Sequence, residues 1–405
     1  MDTNQYKGDE MGILSNTVSI CQFRVVGDIP AGDLFPWVTE RLTRHGFTSI
    51  DQGAAEQSIG WVHMDDHRES DFAAPAASWR DHYVALALRR DYRHIPAALL
   101  RAHLKNAENE YLAANPGYNR VPKQKREDLR EAVRGSLLAR TLPIPSVYDA
   151  VWDTRTNLLT LATLGSKGVD LFETHFKKTF EGLRLVAFHP YDRAGTVVPG
   201  ALAPALEKSN QATTDAVIDL IKSNQWIGWD FLLWVMYRTM TDTSEYRISR
   251  PGPVEEGEPF VAYLDNRLVL CAAGENGVQK ITVSGPQDRF TEVRAALQQG
   301  KRITEATLHL ERGDDLWKLT LKGEPFHFAG YKAPGVKLER DNTVDEVSEK
   351  EALFYERMHL VETGLQLFDS LYSTFLALRL TPEWQREQEA IMEWLAVEDG
   401  ARGAE

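Results

Sequence analysis

The chain has 405 residues, 43% of them hydrophobic, with 28 Gly and 18 Pro and no long biased tract, which excludes a fibrous or mainly disordered protein and leaves room for about two or three domains. Against 59 acidic residues stand 46 basic ones, a net −13 that, taken whole, speaks against a nucleic-acid binder. No run approaches the roughly 18 apolar residues of a membrane span, MDTNQYKGDE lacks a signal-peptide core, and Cys21 and Cys271 lie far apart without a CxxC pair, so a disulfide framework or zinc ribbon is not expected and a reducing cytoplasm is the simplest home.

Residues 1–11 read as a flexible leader. TVSICQFRVV is strand-like, and residues 31–45 look helical, with Leu34, Val38 and Leu42 at four-residue spacing. Ile59–Val62 is a short strand or turn, 66–80 a loop, and HYVALALR a strand. Pro96 is placed to open a helix, which Asn115-Pro116-Gly117 stops. A second helix runs from Pro122 to about Arg140, where Leu142-Pro143-Ile144-Pro145 ends it. Val147–Trp152 and Leu158–Leu164 read as paired strands, and 168–183 as a helix.

The Pro/Gly/Ala-rich stretch 190–212 reads as a linker, and 213–240 as one or two helices ending in FLLWVMYR, a candidate core or partner contact. Phe260–Leu264 and Arg267–Cys271 flank Asp265-Asn266, a two-residue hairpin signal. Lys280–Ser284 is a strand and 289–299 a short helix. Thr304–Leu310 and Leu316–Leu321 pair across Gly313-Asp314. In the helix at about 344–377, Phe354, Met358, Val361, Leu365, Phe368, Tyr372 and Phe375 take heptad a/d positions, which serve burial within the subunit or a subunit interface. The reading is α+β with mixed sheets: a region over 12–190 with a helical tip at about 96–142, a linker and helical insertion over 191–258, a second α+β region over 259–377, and an acidic tail over 378–405.

Catalytic signatures are absent: no phosphate-cradling glycine loop, no Gly-x-Ser-x-Gly, no His-Glu-x-x-His. His63-x-Asp65-Asp66-His67 has ligand types that suit a divalent cation, and equally reads as a solvated polar loop. Asp314-Asp315 could hold Mg²⁺ or simply make a turn. No enzyme, cofactor or metal is expected on this reading.

The charge is unevenly spread. Residues 341–405 hold 5 Lys/Arg and 15 Asp/Glu, whereas 101–140 hold 9 Lys/Arg and 5 Asp/Glu. On a helix at about 100° per residue, Lys123, Arg126, Arg130 and Arg134 fall within about 80° of one another, beside an acidic strip of Glu127, Asp128 and Glu131 and an apolar stripe of Leu129, Val133 and Leu137. Four cations at one-turn spacing could follow a phosphate backbone; a solvated amphipathic helix with internal ion pairs is the other reading. Lys301-Arg302 is a second basic point, of a kind also common at strand starts.

Several stretches, in order, resemble the bacterial recombination-associated RdgC family: GILSNTVSICQFRV, Gly60-Trp61-Val62, VALALRRDYRHIPAAL, KQKREDLREAVRGSLLAR, VWDTRTNLLTLAT and QDRFTEVRAALQQGKRITEATLHL. The resemblance covers roughly 12–190 and 260–377. It implies two related α+β units plus a helical tip, a homodimer closed into a ring, duplex DNA passing through a positively lined hole with little sequence preference, and restraint of a RecA-type recombinase at the nucleoid. It implies no membrane partner. The candidate DNA contacts are Lys123, Lys125, Arg126, Arg130 and Arg134 on the tip helix, with Lys301, which falls on the family's Gly-Lys lysine, and Arg302. Leu142 falls where the family has a Phe at the gate contact between subunits, so Leu142 and Pro143 are the candidate dimer interface. Residues 195–258 look like an insertion and the tail an addition. A metal-dependent nuclease, or a protein-interaction scaffold without DNA affinity, are the alternatives.

Overall fold

In a computed structural model of the chain, residues 12–397 are described except 31, 33, 54, 75, 76, 243, 275, 276, 286–289 and 337–345. The expected leader and the last residues of the expected tail, 398–405, lie outside the described residues. The strands are β1 (Thr17–Gly27), β2 (Gln57–Val62), β3 (Trp79–Arg80), β4 (Tyr83–Tyr92), β5 (Ile144–Asp153), β6 (Leu158–Leu161), β7 (Leu183–Ala187), β8 (Glu245–Arg247), β9 (Pro259–Gly274), β10 (Gly277–Val283), β11 (Arg302–Arg312), β12 (Asp315–Lys322) and β13 (His327–Lys332). The helices are α1 (Leu34–Arg44), α2 (Ala97–Ala114), α3 (Lys123–Arg140), α4 (Ser166–Thr179), α5 (Pro190–Val197), α6 (Ala203–Ser209), α7 (Val217–Ser223), α8 (Gln225–Thr241), α9 (Thr291–Gln298), α10 (Glu346–Arg379) and α11 (Glu383–Ala396). The class is α+β. Two compact units divide the described residues: 27–156 with 170–184, and 12–26 with 157–169 and 185–397.

In the smaller unit β4 is central. It pairs antiparallel with β5 from Tyr83↔Asp153 to Tyr92↔Ile144, and with β2 from Gln57↔Tyr92 to Val62↔Ala87. Tyr83–Leu88 of β4 are all buried, so both faces of the strand are covered there, as its near-continuous apolar run requires. Phe172, Phe176 and Phe180 recur every four residues and so share one helical face. Phe172 meets Trp61 edge-on at 5.6 Å and Phe176 meets Trp152 at 6.3 Å. The Trp61 indole donates to Thr179 Oγ1 at 2.8 Å, which satisfies its buried N–H. Beside it, a Cβ on Gly60 would stand 2.4 Å from the Phe47 Cα. The Gly-Trp-Val motif therefore combines a close backbone approach with a core anchor.

His175 lies in this core against Trp61 and His45. Burial, with a smaller push from Lys178, lowers its imidazole from 6.5 to about 4. As pH falls, the unfolded chain takes up this proton first, so the stability that burial of the neutral ring supports is complete above about 6.5 and is lost towards about 4. His175→Gln is expected to lose less stability than the natural chain between pH 7 and pH 5, by on the order of 1–2 kcal/mol in denaturant titrations. Equal losses would contradict the assignment.

The larger unit is built on a sheet in the order β10-β9-β11-β12-β13-β1-β6, with β8 paired to the start of β9. The first strand of the chain lies between β13 (Thr17↔Lys332) and β6 (Cys21↔Leu161). The a/d residues of α10 from Phe354 to Phe375 are all buried, so the heptads serve the unit's own core. α8 buries Ile227, Phe231, Leu232, Trp234, Val235 and Met236, a helix apolar on nearly every side and accordingly wrapped by protein.

Three details differ from the sequence reading. The stretch read as a linker forms α5 and α6, which bury Ala194, Val197 and Leu206, because its prolines sit in first helical turns rather than interrupting helices. Part of the region read as a tail is α11, which buries Ile391 and Leu395 while Glu389 and Glu393 stay exposed. Asp265-Asn266 makes no hairpin: β9 runs through it as a bulge, since Leu264 faces Leu308 and Leu268 faces Ala306. Asp265 is held there by Lys318 Nζ at 2.7 Å and His309 at 3.3 Å. β7 and β13 were not expected.

Gly228 on α8 has no room for a side chain: a Cβ would stand 1.9 Å from the Gly323 carbonyl oxygen. Gly228→Ala is expected to cost about 1–3 kcal/mol in urea unfolding by displacing α8 from the β12–β13 turn. Unchanged stability would show that the turn yields freely.

Candidate nucleic-acid interface

The smaller unit carries an arm. β4 ends at Tyr92, opposite Ile144 where β5 begins, and the chain between them is the hairpin α2–α3. Each helix has 18 residues, about 27 Å of length at 1.5 Å per residue. α2 buries no residue, and α3 buries only Leu137 and Leu138 near its end. The two helices pack along one another. Their long axis therefore stands away from the sheet.

The base is fixed by Arg93, 2% exposed, whose guanidinium donates to the carbonyls of Ile50 (2.7 Å) and Gly53 (2.6 Å) just before α2 begins. Pro96 and Pro122 precede the two helices with extended ψ of 132° and 145°. Each sets φ for entry and has no side-chain acceptor, so neither helix has a side-chain cap at its start. The first turn of α3 contains Lys123, Lys125 and Arg126 and no acid. Cations at the positive end of a helix oppose its dipole, an arrangement that an external anion relieves.

The structure brings together some of the expected cations and separates others. Lys123, Arg126 and Arg130 line a shallow cleft of about 510 Å³ with Arg101 and Lys105 of α2, opposed by Glu108 and Glu127. Arg126 forks onto Glu108, Nε to Oε1 at 2.6 Å and Nη2 to Oε2 at 3.3 Å. That pair holds the Glu108 carboxyl below its ordinary range. Lys125 lies over the Tyr111 ring at 5.8 Å. Arg134 leaves the row and reaches Glu56 Oε2 at 2.5 Å. Lys301 is 8% exposed, and Lys301 and Arg302 belong to the other unit. Sequence reasoning missed Arg101 and Lys105; the signal was their four-residue spacing, in phase with Glu108 on one face of α2.

Apolar side chains cluster by topology at the arm's base. Leu142 is 84% exposed and Ile144 62%, with Pro143 between them half-buried; Leu99, in the first turn of α2, is 41% exposed. Nothing in the smaller unit covers Leu142.

The metal candidates are engaged with their neighbours. His63 Nε2 is 2.6 Å from the Asp71 carbonyl oxygen, Asp65 pairs with Arg80, Asp66 accepts from Arg68 at 2.7 Å, and His67 lies 3.8 Å from Asp149. Asp315 faces Arg312 in the backbone register of the β11–β12 hairpin, whose turn contains Gly313 at φ +57°. Among the described residues no three His, Cys, Asp or Glu side chains gather as metal ligands, and no helix is long and apolar enough to cross a membrane.

No curated protein matches the chain. A family model described as "Putative exonuclease, RdgC" matches residues 30–201, a stretch that includes the arm but neither β1 nor Lys301 and Arg302. Over residues 30–201 the chain is thus similar to the RdgC family.

Proposed function

We propose that the chain binds double-stranded DNA without sequence specificity, as a homodimer closed into a ring around the duplex, and that at the nucleoid it restrains a RecA-type recombinase. The observation that carries the DNA reading is the cleft: Arg101, Lys105, Lys123, Arg126 and Arg130 against Glu108 and Glu127, on an exposed arm. Long cationic side chains on an open helical surface suit phosphates, which carry affinity, and not base edges, which carry specificity. The RdgC match over the arm supports a recombination-associated setting. The exposed Leu142 and Ile144 support a subunit contact at the arm's base.

Replacing Lys105, Lys123, Arg126 and Arg130 together by Gln is expected to weaken duplex binding and to lower the log–log salt slope by up to about 3.6, since each lost phosphate contact removes about 0.9. Glu108→Gln frees Arg126 and should strengthen binding. Binding that ignores all five changes would refute the arm as the interface, and absence of any gel shift in low salt would favour the scaffold alternative.

Light scattering is expected to find a dimer, and Leu142→Asp, which has no core to disturb, to shift it to monomer. A natural chain that is monomeric at micromolar concentration would remove the ring.

The family description favours a second reading, an exonuclease. Incubation of end-labelled duplex with Mg²⁺ separates the two: a binder leaves the label intact, and its release would establish cleavage.

A further inference from the structure

The larger unit has a hollow of about 730 Å³ that the DNA reading does not use. Its size falls in the range of about 300–1,000 Å³ usual for small-ligand sites. β9 supplies Cys271, Ala272 and Ala273; β11 supplies Arg302, Thr304 and Glu305; α8 supplies Trp229. Lys280, Lys322 and Glu324 complete its charged rim.

Three features give the hollow a chemistry. The first is an anchored aromatic ring. Trp229 follows Gly228, which lies against the Gly323 carbonyl, and its indole donates to Glu324 Oε1 at 3.4 Å. Ring position and ring tilt are thus both set by the β12–β13 turn. The second is a pair of available cations. Lys280 faces Glu305 at 4.0 Å and Glu324 is engaged by Trp229, whereas neither Arg302 nor Lys322 has a carboxylate within 4.0 Å among the described residues. Arg302 and Trp229 line the same hollow, from β11 and α8 respectively. The third is an apolar floor of Ala272 and Ala273 beside the open edge strand β10, where Val278 is 73% exposed.

An indole edge-anchored next to two unpaired cations and an apolar floor matches a flat ring joined to a phosphate. We propose that this hollow binds a nucleoside monophosphate, with its base against Trp229 and its phosphate on Arg302 and Lys322, either free or as the unstacked terminal nucleotide of a DNA strand. Stacking accepts any base, so selectivity lies in the ring–phosphate combination. The site is in a different unit from the arm, so it stands or falls independently of duplex binding.

The test uses the full chain and reads the thiol that lines the hollow. Cys271 is half-buried while Cys21 is buried, so alkylation mapped by mass spectrometry reports on Cys271. Deoxyadenosine monophosphate is expected to slow its alkylation, with inorganic phosphate and deoxyadenosine each much weaker. Calorimetry should show the affinity falling about tenfold in Trp229→Ala and in Arg302→Gln, the worth of one stacked base or one phosphate contact. The fourfold arm variant should bind the mononucleotide unchanged. A short 5′-phosphorylated single strand that protects Cys271 better than the mononucleotide identifies a strand end as the source; the reverse order identifies the free nucleotide. Lys322→Gln, on the strand rim, tests the phosphate position should Trp229→Ala unfold. Protection by phosphate equal to that by the nucleotide, or no protection at millimolar nucleotide, would overturn the proposal.

Discussion

One buried cation ties together the ends and the middle of the larger unit. Arg193, on α5, is 2% exposed. Its Nε donates to Asp369 of α10 at 2.5 Å and its Nη1 to Gln22 of β1 at 2.7 Å. The guanidinium lies between the rings of Phe188, Phe328 and Phe368 at 5.2–5.4 Å. A charge withdrawn from water this fully is tolerated only when its donors are met and its faces covered, and here both are supplied by segments far apart in sequence. Truncating any one partner leaves the charge uncompensated, so β1, α5 and α10 behave as one cooperative element. That is why β1 packs with α10, the longest helix among the described residues.

The arm follows the opposite rule. Apart from Leu137 and Leu138 near the end of α3, its helical residues are half-buried or exposed, its helices lack side-chain caps, and α3 begins with cations where a helix prefers acids. Each of these features lowers the intrinsic stability of a helix by a fraction of a kcal/mol, and packing of α2 on α3 must make good the difference. Glu108 relieves some of the repulsion through its fork on Arg126, but it leaves Arg101, Lys105, Lys123 and Arg130 to face one carboxylate, Glu127, in the same cleft. A surface held at this electrostatic cost is what a polyanion would stabilise.

Local elements were legible where one signal sufficed. The helix boundaries of the arm followed from Pro96, Asn115-Pro116-Gly117 and Pro122, and the heptads of α10 from their spacing. What could not be read was pairing across distance. Asp265-Asn266 has the chemistry of a turn, yet its carboxylate is captured by Lys318 and His309 from two other strands, and the backbone stays extended around a bulge. β13 has too few apolar residues to announce itself and becomes a strand because β12 and β1 flank it. At the site, helical projection grouped Lys123, Arg126 and Arg130 correctly, but could not show that Glu56 draws Arg134 away or that α2 contributes half the cleft. Charge partners on other elements leave no trace in a single helix's periodicity.

The net charge of −13 coexists with a locally cationic arm. Several acids of the carboxy-terminal region are engaged at short range: Asp369 by Arg193, and Glu387 by the Trp234 indole at 3.2 Å with Arg238 nearby. Exposed charges more than a Debye length apart, about 8 Å at physiological ionic strength, interact weakly. An arm about 27 Å long carries Lys123 and Arg126 roughly three such lengths from the sheet that bears it. Within the smaller unit, the charges nearest the α2–α3 turn are therefore the arm's own. A protein can be acidic as a whole and still carry a local excess of cations, as the cleft does with five cationic side chains against Glu108 and Glu127.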